Sequence, residues 1–547
     1  MTDRTTERPR HLHRRKAMKA AGGLGVGGLL SGCSSNAALL GSTDTSQPRN
    51  IVFVLSDDHR YDFMDFVDEP GTPEFLETPN MDRMANRGAH LPNTTVSTSL
   101  CAPSRASILT GQYAHEHGVI DNQHPRSDHD PFFVDHLKDA GYETAFIGKW
   151  DTFRINSAEP RPAFDRWVSF EKQGNYIDPQ LNVDGDWVQH NGYITDILTK
   201  YALRWLRNRS GDKPFFLYLS HKAPHAWFRP APRHQGRYAD APIEYPETMA
   251  NSAANYRDKP DWVREQRDSV RGVDYVFGGN FGFGGPSGFD TLYRKYCETL
   301  LSLDESIGAV MDQLDTSGVA DSTLTLYMSD NGFSLGEHGL IGKQTAYEPS
   351  MRVPLLAWAP GLVESGTTID RAVSNVDLAP TFLEVADISR PGYMSGESFL
   401  PALAGEGTAR SQDPYYESFW GGFPKHPTMF STRRGRYKYI WYYGPMQDEL
   451  YDLQADPAEA NNLFDDRNHE QRRKAMHDRL FDWIESGGGV PIPLQRERRG
   501  DNRKQRPKNA PKTAPDDLAG ESGRNNRNNR NGKSGKNGKN GKNGKSG

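Results

Sequence analysis

The 547-residue chain has only three cysteines, Cys33, Cys101 and Cys297. A disulfide-stapled scaffold is therefore excluded. Long apolar runs are missing too. The stretch from Ala20 to Leu30 is the apolar segment near the N-terminus, and it is far shorter than the roughly 20 residues that span a bilayer. Strong net charge is absent from the whole, at −5, but not from its parts. The last 52 residues carry 16 Lys/Arg against 5 Asp/Glu, and the first 32 carry 7 against 2, which leaves −21 on the body between them. From Arg496 onward large apolar residues are almost absent, and the chain ends in an Asn/Gly-rich run with a basic residue at every third position from Arg524 to Lys545. Such a segment cannot bury enough surface to offset its ordering entropy, so residues 496–547 are expected to be disordered. This tail either holds the protein near anionic glycans or the cell surface, or serves as a solubilising appendage. No nucleic-acid partner is expected.

What is present begins with an address. A basic segment precedes the short apolar stretch, and Leu30-Ser31-Gly32-Cys33 follows it. This is the layout of a secretory signal. The last four residues are similar to a bacterial lipobox, in which Cys33 would be lipidated, and Arg14-Arg15 resembles a twin-arginine export signal. We expect export to the periplasm or cell surface, with the membrane met only through the lipid anchor. The alternative is an ordinary signal peptide with a chance cysteine. The remaining residues, about 460 in number, exceed the usual single-domain range, so one large and one smaller domain are expected.

Four segments share one grammar, an apolar run followed by polar groups: "NIVFVLSDDHR" from Asn50, "ETAFIGKWD" from Glu143, "PFFLYLSHKAPH" from Pro214 and "TLTLYMSDNG" from Thr323. Runs without polar alternation suit central strands covered on both faces. Helix-like segments lie between them, which predicts an α/β fold: a large, mainly parallel mixed sheet sandwiched by helices. In such sheets the site lies beyond the carboxyl ends of the strands, so the four polar clusters should share one rim. Asp57-Asp58 and Asp330-Asn331 supply only hard oxygen donors, which suit Ca²⁺ or Mg²⁺ better than zinc. Lys149, His221, Lys222, His225 and Lys343 add cations and a proton carrier, a set built to hold a tetrahedral oxyanion and protonate a leaving group. Near the C-terminus, "TMFSTRRGRYKYIWYYG" predicts a hairpin around Arg434-Gly435 and "RNHEQRRKAMHDRLFDWIESGGG" a helix stopped by glycine. Together they make a smaller antiparallel sheet with one packing helix.

The pentad Cys101-Ala102-Pro103-Ser104-Arg105, with Leu109-Thr110-Gly111 after it, resembles the signature of the type I, formylglycine-dependent sulfatases of the alkaline phosphatase superfamily. The likeness continues through Asp57-Asp58, Gly148-Lys149-Trp150, Pro224-His225, Ser329-Asp330-Asn331-Gly332 and "YEPSMRVPLL", and ends in "VDLAPTFLE" and "ELYDLQADPAEANNL". A stretch near 226–292 lies outside it. The resemblance implies hydrolysis of sulfate monoesters. It also implies oxidation of Cys101 to formylglycine by a formylglycine-generating enzyme, and one calcium ion held by Asp57, Asp58, Asp330, Asn331 and the modified Cys101. One oxygen of the hydrated aldehyde would attack sulfur, and its second hydroxyl would then expel sulfate. Arg105 would orient the diol, Lys149 and Lys343 would hold sulfate oxygens, and His225 would protonate the leaving alcohol. His221 and His338 are candidate substrate contacts, and His117 sits in a similar family-like context. Pro103 and Ser104 suit the first turn of a helix.

One departure stands out: many family members have His after Gly-Lys-Trp, and this chain has Asp151. The expected organisation is an export signal over 1–32, a linker over 33–48, a catalytic domain over 49–390, a smaller α+β subdomain over 391–490 and the tail. Arg433 or Arg436 could reach substrate from the subdomain, although surface charge is their simpler reading. The export route favours a sulfated polysaccharide or oligosaccharide as substrate. Two rivals stay open: a phosphonate monoester or phosphodiester hydrolase of the same fold, and a non-catalytic glycan-binding lipoprotein in which Cys101 stays a thiol or pairs with Cys297.

Overall fold

The computed structural model describes residues 50–487 except 123–130, 153–157, 210, 279–287, 408–409, 411–412 and 420–425. The signal, Cys33, the linker and the basic tail lie outside the described residues. The four apolar runs are four neighbouring strands. β1 (Asn50–Ser56), β2 (Glu143–Gly148), β3 (Arg166–Ser169), β4 (Gln180–Val183), β5 (Asp186–Gln189), β6 (Phe215–Ser220), β7 (Thr323–Ser329) and β8 (Leu355–Trp358) join two short strands, Ala89–His90 and Thr367–Thr368, in one ten-stranded sheet. At its centre β7, β1, β6 and β2 run side by side and parallel. The flanking pairs β7–β8, β3–β4 and β4–β5 are antiparallel.

Because alternate residues point to opposite faces, each central strand feeds two cores. Ile51, Phe53 and Leu55 pack on one side with α2 (Cys101–Thr110) and α6 (Leu378–Val385). Val52 and Val54 pack on the other with α1 (Pro79–Arg87), α4 (Ile194–Asn208) and the 29-residue α5 (Gly288–Thr316). A short helix, α3 (Phe133–Asp139), covers the first face beside α6. This is the predicted architecture. In α5, Phe289, Leu292 and Tyr293 continue toward the N-terminus the apolar stripe of the "YCETLLSLDE" segment.

A four-stranded antiparallel sheet, β9 (Tyr415–Ser418), β10 (Met429–Arg434), β11 (Tyr437–Tyr442) and β12 (Glu449–Asp452), buries one face under α7 (Glu470–Ser486). The hairpin turns at Gly435-Arg436, and Gly487 caps α7. The sheet joins the large body through buried ion pairs. Lys438 on β11 lies 3.1 Å from Glu348 and also meets Glu459. Among the described residues no helix is long and apolar enough to cross a membrane.

The rim is fixed by backbone bonds just past the strand ends. Asp330 N–H donates to Ser56 O (3.1 Å), Lys149 N–H to Ser220 O (2.8 Å) and Asp57 N–H to Ala223 O (3.0 Å). The close approach at Gly148, the last residue of β2, permits no side chain: its φ is +129°, and a Cβ would fall 1.7 Å from Ser220 O. Since that clash is with backbone, Gly148→Ala should destabilise the protein by about 3 kcal/mol. Denaturant unfolding of the variant measures this, and an unchanged midpoint would show that the strand end can relax.

Candidate active site

Asp57 and Asp58 leave β1, Lys149 leaves β2, Lys222 and His225 follow β6, and Asp330 and Asn331 leave β7. The parallel register therefore delivers them to one rim. Cys101 enters from the side as the first residue of α2, whose C-terminus is closed by Gly111 in a left-handed conformation. Its Sγ lies 3.5 Å from Asp57 Oδ1 and 2.8 Å from Lys343 Nζ. Lys343 also donates to Asp58 Oδ1 at 2.6 Å, and Lys149 Nζ meets Asp57 Oδ2 at 2.5 Å. Arg105, one turn along α2, spans the cluster. Its Nε bonds Asp330 Oδ2 (2.8 Å) and its Nη1 bonds Lys149 O (2.8 Å) and Ser220 Oγ (2.7 Å). Asn375 Nδ2 donates to Ser104 Oγ (2.9 Å), which anchors the first turn of the helix.

Electrostatics separate the three carboxylates. Burial alone would push the Asp57 carboxyl up, but Lys149, then His225, Arg105 and Lys343, outweigh it and hold the group well below its ordinary range. Burial lifts Asp58 above its ordinary range against Lys343, with the Asp57 charge adding to the lift. Burial and the Asp57 charge push Asp330 up to about 7 despite Arg105 and Lys343. Oxygen atoms of all three residues lie within 4.8 Å of one another. Asn331 Oδ1 is buried beside them with no hydrogen-bond partner among the described residues. An all-oxygen set with one orphaned acceptor fits a hard divalent cation.

Burial holds His225 well below the ordinary histidine range. Its Nδ1 contacts Ala226 O, a carbonyl that can only accept, so Nδ1 carries the proton and Nε2 faces Asp58 Oδ2 at 3.9 Å. His225 and Lys222 line a cleft of about 970 Å³ with Gln173, Tyr176 and Phe228. Lys222 is 4% exposed, and burial followed by the Lys149 charge lowers it to about 8. Its ammonium sits 4.7 Å over the Tyr176 ring, with no ion pair or hydrogen bond among the described residues.

His221 and His338 are not brought into this cluster. His221 is buried, and Nε2 lies 3.0 Å from Ser306 Oγ on α5. His338 is buried against Tyr347, 4.2 Å between ring centroids, on the side of the small sheet. Both therefore pack inside the protein and do not face the cleft. His117 is likewise buried, 3.0 Å from Ser107 Oγ of α2. Arg433 pairs with Glu348 (3.3 Å) and Asn93 (2.9 Å), and Arg436 with Gln454 (2.8 Å). Cys101 and Cys297 are both buried and free. Asp151 stands 3.3 Å from Lys149 Nζ and accepts from Gln173 Nε2 (3.2 Å), while Gln173 Oε1 accepts from Lys149 at 2.6 Å. It takes part in a lysine–glutamine–carboxylate chain that reaches the cleft at Gln173.

Gln173 and Tyr296 escape sequence reasoning. Asp58 has φ +71°, a left-handed conformation costly for a side-chain-bearing residue. Tyr296, from α5, holds it. Its hydroxyl donates to Asp58 O (2.6 Å) and accepts from Arg60 N–H (3.0 Å).

Residues 49–388 match the protein-family model named Sulfatase, and residues 336–486 match N-sulphoglucosamine sulphohydrolase, C-terminal. An N-acetylglucosamine-6-O-sulfatase of Bacteroides thetaiotaomicron is 33% identical over 488 residues, covering 79% of this chain and 85% of its own. The human N-acetylglucosamine-6-sulfatase is 29% identical over 405 residues, 69% and 68% of the two chains. The solved structure of BT4656 in complex with its substrate D-glucosamine-2-N,6-O-disulfate superposes with a TM-score of 0.71 at 29% identity, over 82% of this chain and 99% of that one. A phosphonate monoester hydrolase of Agrobacterium radiobacter, 21% identical with a TM-score of 0.63 over 80% and 96% of the chains, shares the fold.

The clamp on Asp58 makes a test independent of chemistry. Partners that orient a metal ligand typically contribute about 10–100-fold to metal affinity, so Tyr296→Phe should weaken divalent-cation binding by roughly tenfold. Calorimetric titration of the chelator-stripped protein measures it, and equal affinity in both proteins would leave Tyr296 a packing residue only.

Proposed function

This chain belongs to the sulfatase family and is a sulfuric ester hydrolase, and from that premise we propose that Cys101, as formylglycine, and one calcium ion cleave sulfate monoesters of amino-sugar glycans at this rim. The observation that carries the reading is the placement of Cys101 at the head of a buried helix. There it touches both a ligand carboxylate, Asp57, and a cation, Lys343. Asp57, Asp58, Asp330 and Asn331 would hold the calcium, which would supply Lewis acidity at the rim. As formylglycine, residue 101 supplies a hydrated aldehyde, whose oxygen is a nucleophile and whose second hydroxyl permits release, which a thiol does not offer.

The chain's own residues do the rest. Lys149 and Lys343 bind the equatorial oxygens of the sulfate and offset its charge as it shifts toward the leaving oxygen. Arg105 fixes Asp330 and the loop at Lys149 in one frame, so that the lysines and carboxylates keep their spacing. His225 keeps one proton on Nδ1 toward Ala226 O; the charge of a bound sulfate ester would favour uptake of a second proton on Nε2, and that proton passes to the departing alcohol, leaving the imidazole neutral again. Gln173 aligns Lys149, and Asp151 aligns Gln173 in turn. In this branch Asp151 acts as a positioning residue and not as a base. Lys222 and Tyr176 form the wall against the sugar. The N-acetylglucosamine sulfatases among the relatives support an amino-sugar ester as substrate. The signal supports a lipoprotein of the periplasm or cell surface, anchored through Cys33. Fatty-acid labelling that persists in Cys33→Ala would remove the anchor.

Chelation followed by dialysis should abolish hydrolysis of N-acetylglucosamine-6-sulfate, and added calcium should restore it. Full activity in the stripped protein would refute the metal assignment. His225→Ala should slow sugar sulfates by about 10²–10⁴-fold and activated aryl sulfates far less, since only the poor leaving group needs the proton. Equal losses on both would take His225 out of that role.

A further inference from the structure

The cleft continues away from the catalytic cluster. At about 970 Å³ it lies at the top of the range for small-molecule sites, and it reaches Gln180 and Trp187 on the β4–β5 hairpin. All four residues of β5 are exposed, and the Trp187 side chain is 46% exposed. An indole contributes to stability by burying its surface, and this one leaves nearly half of it in water on the wall of the cleft. Arg229 lines the same wall. It is exposed, and its guanidinium makes no ion pair or hydrogen bond among the described residues. A flat aromatic face complements the C–H face of a pyranose ring, and a free guanidinium complements a carboxylate or sulfate.

We propose that this end of the cleft is a subsite for a second, anionic sugar residue, stacked on Trp187 and neutralised by Arg229, so that the preferred substrate is an anionic oligosaccharide and not a free monosaccharide. The proposal rests on the glycan-sulfatase reading above. The position of the hairpin supports it, because β4 and β5 end the sheet on the side of β2, whose end delivers Lys149, with β3 between them. The cleft lined by His225 and Lys222 runs on to Gln180 and Trp187 of that hairpin.

The test compares N-acetylglucosamine-6-sulfate with a heparin-derived tetrasaccharide on the full-length, calcium-loaded enzyme. Stacking of a planar ring on an aromatic side chain is typically lost at about a tenfold cost or more. Trp187→Ala should therefore raise KM for the tetrasaccharide roughly tenfold, with kcat unchanged and monosaccharide kinetics within about twofold. Trp187→Phe should recover most of the loss. Arg229→Gln should raise the tetrasaccharide KM at low salt and matter little at high salt. Equal effects on both substrates, or none on the tetrasaccharide, would overturn the subsite. If the enzyme hydrolyses neither ester, the glycan-sulfatase reading fails. Calorimetric binding of the tetrasaccharide then decides the subsite alone: weaker binding by Trp187→Ala sustains it, and equal or absent binding overturns it.

Discussion

The structure depends on holding three carboxylates and three cations, all buried, against one another at the end of a sheet. Asp57, Asp58 and Asp330 face Lys149, Lys343 and Arg105 with polar contacts of 2.5–2.8 Å. Removing such ions from water costs several kcal/mol each, repaid only when geometry and hydrogen bonding are complete. Every feature nearby serves that completeness. Register aligns Ser56 with Ser329, so Asp57 and Asp330 emerge side by side. Gly148 lets β2 close on β6 without a side chain, and so sets Lys149 beside Asp57.

The same network explains why the site is assembled from distant parts of the chain. Arg105 ties α2 to β7 through Asp330 and to the end of β2 through Lys149 O. Tyr296 ties the long helix α5 to the left-handed turn at Asp58. The helices covering the sheet thus act as its supports, and a buried group displaced by an ångström would leave an uncompensated charge. Pre-organisation of this kind lets fixed charges act on a transition state without reorganising.

Much of this was legible in the residues. Each of the four central strands announces itself as an apolar run ending in chemistry, because a strand buried on both faces cannot alternate. Their parallel order puts the polar ends on one rim. The placement of Cys101 at the head of a helix follows from Pro103 and Ser104 in its first turn. The histidines were less legible. His221 and Lys222 are adjacent, and nothing local says that the first turns under α5 while the second faces the cleft. His338 sits in a loop whose path is set by contacts with Tyr347 and the small sheet. Tyr296 lies on an apolar stripe like any core tyrosine, and only the path of the Asp58 turn reveals its task. Trp187 sits on a short exposed strand whose partner and edge position are tertiary facts.

All of this arrangement converges on one side chain, residue 101, whose Cβ must be oxidised from the thiol to the aldehyde level with loss of its sulfur. Mass spectrometry of the peptide containing Cys101, on protein from a host able to modify such motifs, tests the account most directly. The account predicts loss of the thiol, reaction with a carbonyl-directed probe, and an unmodified Cys297. A free Cys101 thiol throughout, or a Cys101–Cys297 disulfide, would contradict it.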